Sequence, residues 1–224
     1  MLASVAIAAL FLLLAYLCGS LPTGYLIARQ LKGIDIREHG SGSTGATNVL
    51  RTVGKGAALA VLLIDMAKGA IAVLLVQQLL VMVGQRASAL APTLFPLGSQ
   101  DWLIVLAALA AVLGHSRSVW LGFQGGKSVA TSLGVLLAMT PLAALATLGV
   151  FALVLALSRI VSLSSIAGAI AVSGFMVLFA RPLPYCLFAL TAGLYVIARH
   201  RSNIQRLLAG TEPLLGQKLQ REAE

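Results

Sequence analysis

The chain is a succession of apolar stretches of about 20 residues, separated by short polar gaps, and this pattern decides what it can become. In hydrocarbon every backbone N–H and C=O must find its partner within the chain, so only helices or closed barrels cross a bilayer. The stretches are continuously apolar rather than alternating in tens, which selects helices. Composition agrees: 59% of the 224 residues are hydrophobic, 10% are charged and mean hydropathy is +0.96, against roughly 45–50% and 25% in soluble domains. The predicted fold is all-α, a polytopic integral membrane bundle of about seven helices forming one domain over residues 1–224. The candidate spans run Leu2 to Ala28, Ala57 to Val83, Trp102 to Leu113, Ser128 to Met139, Pro141 to Leu157, Ile160 to Ala180 and Pro182 to Ala198, the third and fourth being too short to cross untilted.

The formal charge of +9 suits an anionic substrate and membrane orientation better than nucleic acid, because the basic residues sit in the gaps rather than along one helix face or in a tail. With seven spans, one side of the membrane holds Arg29, Lys32, Arg37, Arg51, Lys55, Arg117, Lys127, Arg159, Arg199, Arg201, Arg206, Lys218 and Arg221; the other holds Arg86 and Arg181, and Lys68 is intramembrane. The positive-inside rule then puts the N-terminus outside and the C-terminus in the cytoplasm. All three histidines and the glycine-rich polar segments fall on the cytoplasmic side, whereas the outer gaps at 84–101 and 139–141 carry little chemistry. Cys18 and Cys186 lie far apart inside apolar runs and read as core filler. Leu14 to Cys18 has the look of a lipoprotein cleavage box, but Leu17 is bulky and no basic segment precedes the run, so neither cleavage nor lipidation is expected.

Three polar segments concentrate residues that handle phosphate. Gly40-Ser41-Gly42-Ser43-Thr44-Gly45-Ala46-Thr47-Asn48-Val49-Leu50-Arg51 can bring backbone N–H groups against an anion and add a guanidinium, or can be a flexible turn. Gly122-Phe123-Gln124-Gly125-Gly126-Lys127-Ser128 is not a Walker motif, having one residue too few and no preceding strand, yet it offers a lysine and a hydroxyl at a helix start. Close helix packing is the alternative use of its glycines. Arg199-His200-Arg201-Ser202-Asn203-Ile204-Gln205-Arg206 can anchor to anionic lipid headgroups, although His200 and Asn203 are needless in an anchor and useful for holding hydroxyls and phosphates. Asp65 and Lys68, three apart on one helix face, are expected to pair structurally; Ser162, Ser164 and Ser165 either line a site or bond back to helix carbonyls.

Several chemistries are missing. No HExxH or carboxylate-rich metal set occurs, no GxSxG elbow, and no cofactor motif. The His-x4-Asp dyad of many glycerolipid acyltransferases is absent too: His39 is followed at that distance by Thr44, His115 by Trp120 and His200 by Gln205.

Taken together, these motifs resemble those of the bacterial acyl-phosphate:glycerol-3-phosphate acyltransferases. The resemblance covers nearly the whole chain: Gly19-Ser20-Leu21-Pro22-Thr23-Gly24-Tyr25, the Gly40 to Arg51 segment, Asp65-Met66-Ala67-Lys68-Gly69, Gly114-His115 through Gly125-Gly126-Lys127, Ser162 to Ser165, and Arg199 to Ile204. It departs at Ser43, where the family has asparagine, at Gln124, where lysine is common, and at Ser128, where glycine is common. The resemblance implies transfer of a fatty acyl group from acyl phosphate to the 1-hydroxyl of glycerol 3-phosphate, the first acylation of phospholipid synthesis, in a bacterial plasma (inner) membrane. It implies no cofactor and no metal, and it leaves room for functional coupling to the enzyme that makes acyl phosphate. A mixed anhydride needs no covalent acyl-enzyme, so positioning and charge can supply much of the acceleration.

The expected catalytic residues are Lys127, Arg51 and His200, with Ser41, Gly42, Gly45, Thr47, Asn48, His115, Gly125, Gly126, Ser162 and Asn203 binding substrate. Within that set the Gly40 to Asn48 segment and Lys127 cradle the acyl phosphate head, while Arg51, His200 and Asn203 hold glycerol 3-phosphate; the acyl chain lies between spans in the lipid bilayer. Two other classes are in play: a transporter for organic phosphate or lipid, which needs polar access from both faces, and a scaffold whose basic gaps serve topology alone.

Overall fold

The computed structural model describes residues 2–87 and 99–217; the outer gap at 84–101 and the basic residues Arg86, Lys218 and Arg221 lie wholly or partly outside the described residues. Every apolar stretch is helical. α1 (Leu2–Ser20) and α2 (Thr23–Lys32) follow one path broken at Leu21-Pro22, where proline lacks an N–H and pushes the preceding residue out of helical geometry. A polar segment holding a 3-10 turn (Ile36–Glu38) leads to a short α3 (Ala46–Thr52), then to α4 (Lys55–Ala87) and α5 (Ser99–Ser116). A second 3-10 turn (Val119–Leu121) precedes α6 (Val129–Met139), α7 (Pro141–Ser158), α8 (Val161–Leu178), α9 (Leu183–Arg199) and α10 (Arg201–Leu208).

Burial runs opposite to that of a soluble protein. Leu153, Leu157, Val177 and Leu178 are exposed, whereas Asp65, Lys68 and His115 are buried. Lipid is the solvent that makes this arrangement favourable. Four helical stretches are long and apolar enough to cross a membrane: Ser4–Lys32, Lys55–Val83, Pro141–Ser158 and Val161–Leu178. α9 with α10 would make a fifth only if the pair, bent by 61° at His200, is one span. The remaining two, Gln100–Ser116 and Val129–Met139, are shorter, and α6 with its 11 residues extends about 16 Å, near half of a ~30 Å hydrocarbon core.

The helices approach closely where they carry glycine. A β-carbon on Gly19 would overlap the carbonyl of Ala111 between α1 and α5, and one on Gly134 would overlap that of Met66 between α4 and α6. The main core (Phe11, Val73, Val76, Val112, Val135, Met176 and Phe188 among others) fills the bundle. A second small core of Ala28, Ile36, Val49, Ala58 and Val61 fastens the segment after α2 onto α4, and thereby sets the height at which that segment stands.

Candidate active site

The polar segments meet at one end of the bundle, tied together across long sequence separations. Arg37 chelates Asp35 (2.6 Å), stacks on the Tyr25 ring and donates to the Leu121 carbonyl at 3.3 Å. The Tyr16 hydroxyl donates to the Arg117 carbonyl at 2.7 Å, Arg199 reaches the Gly126 carbonyl at 3.2 Å, and the Leu215 N–H bonds the Arg159 carbonyl at 2.7 Å.

Within the first segment Asn48 is the organiser. Its Oδ1 accepts from the Ser41 N–H (2.9 Å), and its Nδ2 donates to the carbonyls of His39 (2.9 Å), Ser43 (2.8 Å) and, more weakly, Ile36 (3.3 Å). With its amide bonded to this backbone, Asn48 shapes the loop, and it also borders the cavity that these segments enclose. Gly42, with φ +69°, makes the turn and does not border the cavity that these segments enclose. Ser43, the departure from asparagine, keeps its place by accepting from the Gly45 N–H at 3.3 Å.

The second segment lies on the end of α5. The Gly126 N–H donates to the His115 carbonyl (3.3 Å), and β-carbons on Gly125 and Gly126 would overlap the His115 carbonyl and the His115 ring. Gly125 and Gly126 are not among the residues lining the cavity, and they lie in close contact with His115. Ser128 caps α6 with φ +64° and donates from Oγ to the Val112 carbonyl at 2.8 Å. That left-handed backbone explains why glycine suits the position; the hydroxyl bond offsets the roughly 1–2 kcal/mol that a side chain costs there.

The third segment contributes His200, Asn203 and a residue that the sequence did not reveal, Glu212. The His200 Nδ1 lies 2.7 Å from the Val196 carbonyl, so Nδ1 carries the proton and the lone pair is on Nε2. Lys127 Nζ donates to Asn203 Oδ1 in a short contact. Asn203 Nδ2 (2.6 Å) and Ser162 Oγ (2.8 Å) donate to Glu212 Oε1, and Arg206 Nε to Oε2 (2.7 Å). Ser164 and Ser165 bond back to the Ile160 and Val161 carbonyls, leaving Ser162 as the serine of that trio engaged in this network. An isolated acid after a glycine turn, in a strongly basic segment, was the one signal that pointed to Glu212.

Burial governs the charges. It pushes Lys127 down to about 8; Glu212 opposes the shift, while Arg206, Arg51 and Arg199 add to it. Burial likewise lowers Arg51, against the pull of Glu212, and the Arg51 Nε is buried with no hydrogen-bond partner among the described residues. His200 is pushed down to about 4, again by burial first, despite the bond to Val196. Burial works to raise Glu212, but the bonds from Asn203, Ser162 and Arg206 hold it below the ordinary carboxylate value.

A cavity of about 660 Å³ joins these groups to the interior. Its polar end is lined by Ser41, Gly45, Thr47, Asn48, Arg51, His115, Lys127, Ser162, His200, Asn203 and Glu212, so the sequence candidates apart from Gly42, Gly125 and Gly126 come together. From there it follows α9 through Val196, Gly193, Ala192 and Ala189 to Phe188, and the distance from His200 to Phe188 at 1.5 Å per residue is about 18 Å. Val172 and Leu136 line that end with Phe188, and all three are buried. Leu59 and Leu62 on α4 and Leu148 on α7 border the cavity and are also exposed on the outer surface, so it opens sideways between these helices. Such a site can hold small phosphates at one end and a single long hydrocarbon chain along the other.

The same chain pattern is found in known proteins. The glycerol-3-phosphate acyltransferase family profile matches residues 9–210. Curated glycerol-3-phosphate acyltransferases from Crocosphaera subtropica and a Nostoc species are 59% and 60% identical, covering 96% and 95% of this chain and 97% and 93% of theirs. Crystal structures of PlsY, an integral membrane glycerol 3-phosphate acyltransferase, superpose with TM-scores of 0.78 in its glycerol 3-phosphate form and 0.76 in its lysophosphatidic acid form. These are 37% and 36% identical, over 92% of this chain and 94% of theirs. The chain belongs to the glycerol-3-phosphate acyltransferase family of integral membrane proteins.

Proposed function

We propose that the cavity transfers a fatty acyl group from acyl phosphate to the 1-hydroxyl of sn-glycerol 3-phosphate, yielding lysophosphatidic acid and inorganic phosphate. The observation that carries this reading is that Arg51 and Lys127, from segments far apart in sequence, line one cavity whose remainder is apolar. The acyl phosphate head lies against Ser41, Thr47, Lys127 and the start of α6, its chain along α8 and α9. Glycerol 3-phosphate lies against Arg51, His200 and Asn203, within one hydrogen bond of the donor because Lys127 itself contacts Asn203. The hydroxyl oxygen attacks the acyl carbon, the bond from that carbon to the phosphate oxygen breaks, and phosphate leaves with the electron pair. The hydroxyl proton passes to a phosphate oxygen, with His200, neutral and bearing its lone pair on Nε2, as the second acceptor in reach. Preorganised cations meeting charge on the leaving phosphate, and two substrates held in line, supply the acceleration.

The site faces the cytoplasm of a bacterial plasma membrane, with the N-terminus outside, the C-terminus inside and seven helical stretches between them. The gathering of Arg29, Lys32, Arg37, Arg51, Arg117, Lys127, Arg159 and Arg199 at the polar end, with Arg181 at the far side of α8, supports that orientation. The buried apolar lining at Phe188, Val172 and Leu136 favours an enzyme over a conduit for phosphate. Purified protein in detergent, given glycerol 3-phosphate with acyl phosphate, acyl-CoA or acyl carrier protein, should form product from the first alone and without added metal. Arg51→Ala and Lys127→Ala should remain folded and lose about 100-fold or more in rate; near-normal rates in both would refute the site.

A further inference from the structure

Where the cavity opens toward lipid between α4 and α7, one cation stands on the rim. Lys55 is exposed, borders the cavity, and begins the span Lys55–Val83. That span has 29 residues, about 43 Å of helix against a ~30 Å hydrocarbon core, so the first residues of α4 stand among the headgroups. Lys55, Leu59 and Leu62 recur at the four- and three-residue steps that keep side chains on one face of a helix. All three border the cavity, and the two leucines are 56% and 38% exposed. Leu148, Phe151 and Leu155 of α7 border it from across the opening. The rim is therefore an ammonium above an apolar cleft. The other described lysines are committed: Lys32 donates to the Thr52 carbonyl (2.8 Å), Lys68 to the Leu21 carbonyl (2.7 Å) and Lys127 to Asn203. Lys55 makes no hydrogen bond or ion pair among the described residues, and the acids that border the cavity, Asp65 and Glu212, are paired with Lys68 and Arg206. A lysine that only anchors a span to headgroups can serve on any outward face of its helix. This one stands on the border of the cavity whose interior holds the part-buried Arg51 and Lys127, so the cations run from exposed at the rim to part-buried inside.

We propose that Lys55 captures the phosphate head of the acyl donor at the lipid-facing rim, while Leu59 and Leu62 receive the first part of its chain, and that the head then passes inward to the transfer site. Lys55 acts before the chemistry and touches no reacting atom during transfer. A single-chain phosphate amphiphile fits this rim, because the unpaired cation suits its head and the apolar cleft its chain, whereas a water-soluble phosphate gains nothing from Leu59 and Leu62. The product, lysophosphatidic acid, shares this chemistry; capture of the incoming donor acts on KM, and release of the product on kcat. The proposal rests on the reading of acyl phosphate as the donor.

Steady-state kinetics on the purified full chain in a neutral detergent, with palmitoyl phosphate varied as its mole fraction in the micelles and each variant checked for a single symmetric elution peak, provide the test. Lys55→Gln should raise the KM for palmitoyl phosphate about 3- to 10-fold and Lys55→Glu about 10-fold or more, with kcat and the KM for glycerol 3-phosphate within about twofold of wild type. Lys55→Arg, which keeps the charge, should stay within about twofold throughout. A glutamate in the first turn of a helix favours that helix, so a loss in Lys55→Glu does not come from a weakened start of α4. Raising salt from about 0.05 M to about 0.5 M should lower the wild-type kcat/KM for palmitoyl phosphate about threefold or more and that of Lys55→Gln within about twofold, since an exposed charge is screened far more than part-buried ones. An unchanged KM for palmitoyl phosphate in both Lys55→Gln and Lys55→Glu, an equal rise for both substrates, a change confined to kcat, a Lys55→Arg as impaired as Lys55→Gln, or equal salt dependence in wild type and Lys55→Gln overturns the proposal. Wild-type protein that makes no product from palmitoyl phosphate refutes the donor reading and the proposal with it, whereas normal wild-type turnover with unaffected variants overturns the role of Lys55 alone.

Discussion

At the residue scale the site depends on where burial sets its protonation. Lys127 carries its charge below about 8 and loses it as pH rises through that value, whereas His200, at about 4, is neutral over the physiological range. A charged Lys127 and a neutral His200 therefore coexist between those two values. The kcat/KM for acyl phosphate should fall on the alkaline side with an apparent pKa near 8, and Lys127→Arg, which stays protonated, should remove that limb. A profile flat to about pH 10, or an identical limb in the arginine variant, would show that Lys127 is not the titrating group. Asn203 is the hinge of this chemistry, because it accepts from Lys127 and donates to Glu212. Nothing in the sequence ties Glu212 to Ser162, 50 positions earlier, since that link is made when the end of the chain folds back over α8.

At the element scale the long helices were legible because about twenty consecutive apolar residues have few other ways to satisfy their backbone in lipid. The short ones were not. α3 and α10, with 7 and 8 residues, are too brief to be stable alone. They exist because Val49 is buried in the small core and because Asn203 and Arg206 bond Glu212. The site was legible in residue type but not in its internal bonding, since nothing in the sequence shows that the Asn48 amide bonds the backbone of its own loop or that the glycines at 125 and 126 lie against His115. α9 carries a further consequence. Its small residues Ala189, Ala192 and Gly193 line the apolar path ending at Phe188, and an extended chain that advances about 1.2 Å per bond fits about 15 bonds into ~18 Å. Ala192→Leu projects into the path about 6 Å before Phe188 and should shift preference toward acyl chains shorter by about five carbons. Comparing kcat/KM for palmitoyl and decanoyl phosphate checks this; an unaltered ratio would mean that the chain lies elsewhere.

At the scale of the whole molecule the architecture brings together four segments that are distant in sequence. Arg37, Arg199, Lys127 and Leu215 each bond a carbonyl or side chain on a different segment, so the polar end is cross-braced while the helices below it face lipid. The opening between α4 and α7, at Leu59, Leu62 and Leu148, sets a second condition. A fatty reactant drifting in the leaflet can enter from the flank, whereas its hydrophilic companion arrives from above through water. The two then obey different concentration scales: one is counted as molecules per unit of interface, the other per litre. Diluting the enzyme's micelles with inert detergent at constant bulk amounts should therefore slow turnover through the acyl donor alone, as though that reactant had been withdrawn while every solution concentration stayed the same.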